Sequence, residues 1–154
     1  MTFSLNSVNP QYKIKGQVTQ VSEGVVYNNE YCVIDKTSVA SFAFGTVVKV
    51  VGEQYGMLVV DKATASTDKI FGVIAYEKQN RTLVAGERVT ILKGNARVVV
   101  EASAAISLGD IVEIVPTGDK VVTQSTGTTY GIARSEALAD GDLITIEMPH
   151  ALDI

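Results

Sequence analysis

The sequence predicts an all-β protein, a small barrel or sandwich of short antiparallel strands, and three observations carry that reading. First, Gly86-Glu87-Arg88-Val89-Thr90-Ile91 returns as Gly109-Asp110-Ile111-Val112-Glu113-Ile114 and as Gly141-Asp142-Leu143-Ile144-Thr145-Ile146. Glycine supplies the positive φ of a tight turn, the acid can accept backbone amides, and the alternation that follows is that of a half-buried strand. Second, apolar residues recur with period two nearly everywhere from Thr46 to Met148, and valine is abundant while tryptophan is absent. Third, turn chemistry breaks the chain at short intervals, as a barrel or sandwich requires.

Residues 1–11 are polar and irregular, with a bend at Asn9-Pro10. Tyr12 to Val21 alternates and reads as one or two strands. Asn28-Asn29 reads as a turn leading into a strand over 31–34, and 36–41 as a loop or single helical turn. Further strands are expected over 46–51, 57–61, 70–77, 87–93, 96–102, 111–115, 120–123, 130–134 and 143–148. Lys93-Gly94-Asn95 between two Val/Ile runs is a hairpin signal. The best helical candidate, Ser135 to Ala139, is cut off by Asp140-Gly141. A second echo, Phe71-Gly72-Val73-Ile74 with Tyr130-Gly131-Ile132-Ala133, suggests two related units, about 40–84 and 85–148, within a β domain spanning 23–154. Gly45, Gly72, Gly86, Gly109, Gly131 and Gly141 are the expected structural turns.

The 154 residues are 46% hydrophobic, enough for one domain or two very small ones with a real core. No stretch approaches a membrane span, and the first residues lack the basic head and apolar run of a secretory signal. The formal net charge of −4 is unevenly placed: residues 101–154 hold nine acids against Lys120 and Arg134, while residues 1–22 hold Lys13 and Lys15 and no acid. There is no basic cluster of the kind a nucleic-acid binder concentrates. An acidic surface that aids solubility explains the asymmetry plainly, and a basic leading segment facing an acidic neighbouring surface is the sharper reading.

Residues that would mark an enzyme are missing. The lone His150 lies near the end of the sequence, and the lone Cys32 reads as a small core residue. Without a His/Cys cluster neither a zinc site nor a Cys/His nucleophile is expected, and no phosphate loop or nucleophile elbow occurs. Asp140-Gly141-Asp142 lacks the remainder of a calcium loop and reads as turn-capping. Asp110 with Glu113, and Glu136 with Asp140, are conceivable acid pairs that strand-entry acids explain as well. Arg81, Arg88, Arg97 and Arg134 read as solvated or interface arginines. The six tyrosines (Tyr12, Tyr27, Tyr31, Tyr55, Tyr76 and Tyr130) fit a contact surface and a half-buried sheet equally. No catalytic residue, cofactor or metal is assigned.

The order of Phe44-Gly45-Thr46-Val47-Val48, Phe71-Gly72-Val73-Ile74, Ala85 to Gly94, Val98-Val99-Val100, Leu108-Gly109-Asp110-Ile111-Val112, Tyr130-Gly131-Ile132-Ala133 and Gly141 to Ile146 resembles the capsid cement, or head decoration, proteins of tailed bacteriophages. The resemblance covers about residues 40–148. It implies a non-enzymatic virion protein, made in the host cytoplasm, that binds the outer surface of an assembled capsid and bridges neighbouring major capsid subunits. It also implies further copies of the chain as partners, a trimer among the options, with neither nucleic acid nor membrane. The N-terminal segment 1–22 is the expected attachment arm, with Phe3, Leu5, Tyr12, Lys13 and Lys15 as candidate capsid contacts; the alternative is a strand folded on its own domain. Two alternatives stand beside this reading. One is a phage tail or baseplate adaptor. The other is a trimeric all-β nucleotide hydrolase of the dUTPase type, whose motifs are absent and to which Thr126-Gly127-Thr128-Thr129 is the nearest approach.

Overall fold

The computed structural model describes residues 15–16, 18–21, 28–77, 82–94, 96–116 and 119–148. These residues are all-β. They form β1 (Val18–Val21), β2 (Asn28–Ile34), β3 (Val47–Gln54), β4 (Met57–Lys62), β5 (Gly72–Ile74), β6 (Arg88–Gly94), β7 (Ala96–Ala102), β8 (Ile111–Ile114), β9 (Lys120–Thr123), β10 (Gly131–Ala133) and β11 (Leu143–Glu147).

The strands close into two rings built to one plan. In the first, β2, β4, β3, β5 and β6 form a closed barrel. In the second, β7, β11, β10, β8 and β9 follow one another, and a β7–β9 pairing brings the order back to its start. The pairings correspond one for one. β2 runs parallel to β4 as β7 runs parallel to β9, and every other contact within the two rings is antiparallel. β1 is an addition, antiparallel to β7 with Val18 opposite Val98.

The correspondence reaches single residues. Val48 lies opposite Gly72 as Val112 lies opposite Gly131. Ile74 lies opposite Ile91 as Ala133 lies opposite Ile146. The turn bonds match too: Gly45 N donates to Ile74 O at 2.8 Å and Gly109 N to Ala133 O at 2.8 Å. Gly86 N donates to Ile34 O at 2.9 Å and Gly141 N to Ala102 O at 2.8 Å. Gly45, Gly86, Gly109 and Gly141 all have positive φ, where a side chain is strained. Gly72 and Gly131 serve otherwise: each opens a strand where the partner backbone passes too close for a Cβ.

Several sequence expectations change. The Gly109 phrase is the structural counterpart of Phe44-Gly45-Thr46, not of the Gly86 phrase, whose counterpart begins at Gly141. Because β6 closes the first ring, the junction between the units falls between Gly94 and Ala96 rather than between 84 and 85. Asn28 and Asn29 lie inside β2, paired with Gly94 and Leu92, because the pairing with β6 extends the strand through residues of poor β-propensity. Residues 135–139 contain no helix; Ala137 instead bridges Ile106, as Leu83 bridges Phe42 in the first unit.

Side-chain alternation divides the core. In the first unit Cys32, Ile34, Val48, Val60, Ile74, Val89 and Ile91 fill the barrel with Phe42 and Leu83. Their neighbours Val47, Val73 and Leu92 point the other way and join the core of the second unit, with Val100, Val112, Ile114, Tyr130, Ile144 and Ile146 among others. Burial of these aliphatics is worth about 1.5–3 kcal/mol each, so the contact between the units is a continuous part of the core.

Candidate functional site

The Gly-acid phrases are built as turns. Asp142 Oδ2 accepts Leu138 N at 2.8 Å and Ala139 N at 3.1 Å, and Asp110 Oδ2 accepts Ser107 N at 3.0 Å. At the counterpart of Asp110, Thr46 Oγ1 accepts Ala43 N at 3.0 Å. Glu113 is buried and accepts Gly127 N and Ser125 N, holding the loop that follows β9. Asp110 and Glu113 thus serve separate loops. Asp140 pairs with Lys120 at 2.7 Å, a bond that raises the lysine pKa.

Of the five candidate contact residues, Phe3, Leu5, Tyr12 and Lys13 lie outside the described residues. Lys15 lies within them, 3.4 Å from Glu101, so the basic leading segment meets the acidic second half within one chain. Beside it, Gly16 N donates to Val99 O at 2.8 Å and Gly16 O accepts Tyr76 N at 3.0 Å, tying the second unit to the first. A Cβ at Gly16 would meet Ile74 O at 2.7 Å, so glycine is required for the chain to pass here. Lys62 makes a second tie: largely buried on β4, it lies 2.6 Å from Asp119 of the second unit.

The β3–β4 hairpin carries an exposed tip and an exposed apolar flank. Its two-residue loop, Tyr55-Gly56, has positive φ at both positions, 53° and 79°, as a type I′ hairpin turn demands. Asparagine or glycine would be the usual choice at the first; a tyrosine costs about 1 kcal/mol or more there. Glu53 Oε1 accepts Gly56 N at 2.6 Å and holds the tip. Tyr55 is 97% exposed, and Val50 and Val51 on β3 are also exposed. One side of the hairpin forms a groove of about 710 Å³ lined by Val33, Val51, Met57, Lys36 and Arg88, with Asp35 and Glu53 among its acids. The sequence leaves residues 52–56 between the expected strands 46–51 and 57–61, with Tyr55 one of six tyrosines. The missed signal was an aromatic where the hairpin needs a left-handed residue.

Burial shifts two of the titratable groups upward. Cys32 is fully buried, and desolvation, with Glu30 adding to it, pushes its thiol up to about 12. Burial likewise raises the Tyr130 phenol. Among the described residues no group of three or more His, Cys, Asp or Glu side chains is placed to hold a metal ion.

No model of a known protein family matches the chain, and no curated protein does. Among solved structures it is similar to the head fiber gp8.5 N base in bacteriophage phi29, with a TM-score of 0.55 and 16% identity over 80% of this chain and 94% of that one. The likeness is one of fold. It spans most of both chains, so the arrangement of strands is shared across nearly the whole of the phage protein's base.

Proposed function

We propose that this protein is a non-enzymatic structural component of a tailed-phage virion that docks on the outer surface of the assembled head and cements neighbouring major capsid subunits. The observation that carries the reading is the fold shared with a head fiber base over 80% of the chain. The strained, exposed Tyr55 hairpin agrees with a protein that adheres. Such a protein acts by mass action: binding only the assembled lattice opposes its disassembly, and many symmetry-related copies multiply modest affinities. The β3–β4 hairpin and the part of the N-terminal segment ahead of Lys15 are the proposed contacts, since Lys15, Gly16 and Val18–Val21 pair within their own chain.

The test is co-sedimentation of the purified full chain with expanded, DNA-free capsids of the phage that carries it. Binding that falls on Tyr55→Ala or on deletion of residues 1–11, with the fold retained, supports the reading. Failure to bind capsids defeats it. A second reading, the base of a fiber anchored on the head, is favoured by the name of the similar structure. Copy number in purified virions separates the readings: hundreds for a cement, fewer for a fiber base, and a dozen or fewer for a tail adaptor.

A further inference from the structure

The duplication lets each residue be judged against its counterpart. Val47 is 2% exposed, but its equivalent Ile111 is 47% exposed. Val73 and Leu92 are buried, whereas Ile132 and Glu147, in the same places on β10 and β11, are only half-buried. A second set differs the other way. Ile114 is fully buried and Val50 is 41% exposed; Tyr130 and Met148 are buried, while Phe71 and Lys93 are half-buried. The six buried residues all belong to the single core cluster that spans both units. These differences therefore locate the junction between the units, with Val47, Val73 and Leu92 on one side and Ile114, Tyr130 and Met148 on the other.

The six counterparts are the same two surfaces left open among the described residues. Ile111 and Ile132 lie on the second unit, extended by Leu108 at 61% exposure; Val50 and Phe71 lie on the first. Charge is introduced at matched positions. Where the internal junction has Leu92 and Met148, the open surfaces have Glu147 and Lys93. Each charge is embedded in a mixed cluster: Glu147 with Arg134 and Arg97, and Lys93 with Glu30 at 3.6 Å and over the Phe71 ring at 5.6 Å. Small apolar centres rimmed by both signs match the anatomy of a protein interface.

We propose that the chain self-associates head to tail, the Leu108–Ile111–Ile132 surface of one copy seating on the Val50–Phe71 surface of the next. The contact would repeat between chains the junction that joins the two units within a chain. A second copy is the occupant because both halves of the contact are present on one chain, in the arrangement already used internally, with opposite charges where the apolar pair was. Such a contact is heterologous and closes into a ring or runs on as a filament. It does not depend on capsid binding.

Sedimentation velocity of the full chain, alone and as Ile111→Asp and Val50→Asp variants, tests it. The wild type should form concentration-dependent oligomers, and each variant should fall to the 16.4 kDa monomer with an unchanged circular dichroism spectrum. An equimolar mixture of the two variants should recover a dimer and nothing larger, since each retains one working surface. A monomeric wild type overturns the proposal, as does a folded variant that still assembles or a mixture that stays monomeric. If either variant loses native dichroism, Leu108→Asp and Lys93→Glu probe the same two surfaces.

Discussion

Gly72 and Gly131 occupy the same place in two copies of one barrel: a Cβ on either would collide with the carbonyl oxygen of the strand beside it, Leu92 in the first unit and Glu147 in the second. The next obstacle is also the same, the Cγ2 of Ile91 or of Ile146. Backbone carbonyls in a closed ladder cannot move aside without breaking paired bonds. The aromatic-glycine echo in the sequence is thus a packing constraint imposed twice.

Gly72→Ala and Gly131→Ala are expected to cost about 2–3 kcal/mol each, at the upper end for overpacked sites. Urea unfolding at neutral pH measures this. Midpoints equal to wild type would show that the strands can part without loss.

Gly109 and Gly141 have open space where a Cβ would stand, with nothing within 4 Å of it, but sit at φ of 91° and 94°. Their cost is conformational: Gly109→Val and Gly141→Val should each lose at least ~1–2 kcal/mol. If both left the melting temperature unchanged, the turns would not need left-handed residues.

Among the described residues the buried Tyr130 hydroxyl has no hydrogen-bond partner, and its counterpart in the first unit is Phe71. An unsatisfied buried hydroxyl costs about 1–3 kcal/mol. Tyr130→Phe is therefore expected to raise the melting temperature, and a drop of several degrees would reveal a role for the hydroxyl.

The Arg134 guanidinium, hydrogen-bonded to Glu147 and assisted by Arg97, holds the Glu147 carboxyl below its ordinary range. A carboxylate depressed by folding stabilises the native state above its unfolded pKa of about 4.3. That contribution disappears as pH falls through the lower folded value. Glu147→Gln should lower the urea midpoint at pH 7, and the gap from wild type should close in acid. A gap that is the same at both ends of the titration would exclude the ion pair as its cause.

Cys32 should resist thiol reagents in the native protein at pH 7–8, being buried and pushed up to about 12, and react once the protein unfolds. Rapid native labelling with Ellman's reagent would mean that β2 opens readily.

Period-two alternation and the Gly-acid turns were legible in the sequence because each is local: a positive φ or an in-out pattern is set within a few residues. The Lys93-Gly94-Asn95 hairpin signal misled, because β6 and β7 pair with other strands and the turn between them joins the two units. The single chain also showed that it contained an echo, and that Cys32 belonged inside. Only the tertiary structure decided which echoes correspond. Gly86 and Gly109 begin similar phrases, yet one precedes the strand that closes the first barrel and the other precedes the second strand of the next. Their likeness comes from the common demands of a turn entering a strand, and partners are chosen by pairings between strands far apart in sequence. The same holds for burial. Val47 and Ile111 are equally apolar aliphatics on equivalent strands, and nothing local makes one core and the other surface. That difference arises because the second unit covers the first, while the described residues leave the second unit's matching face open.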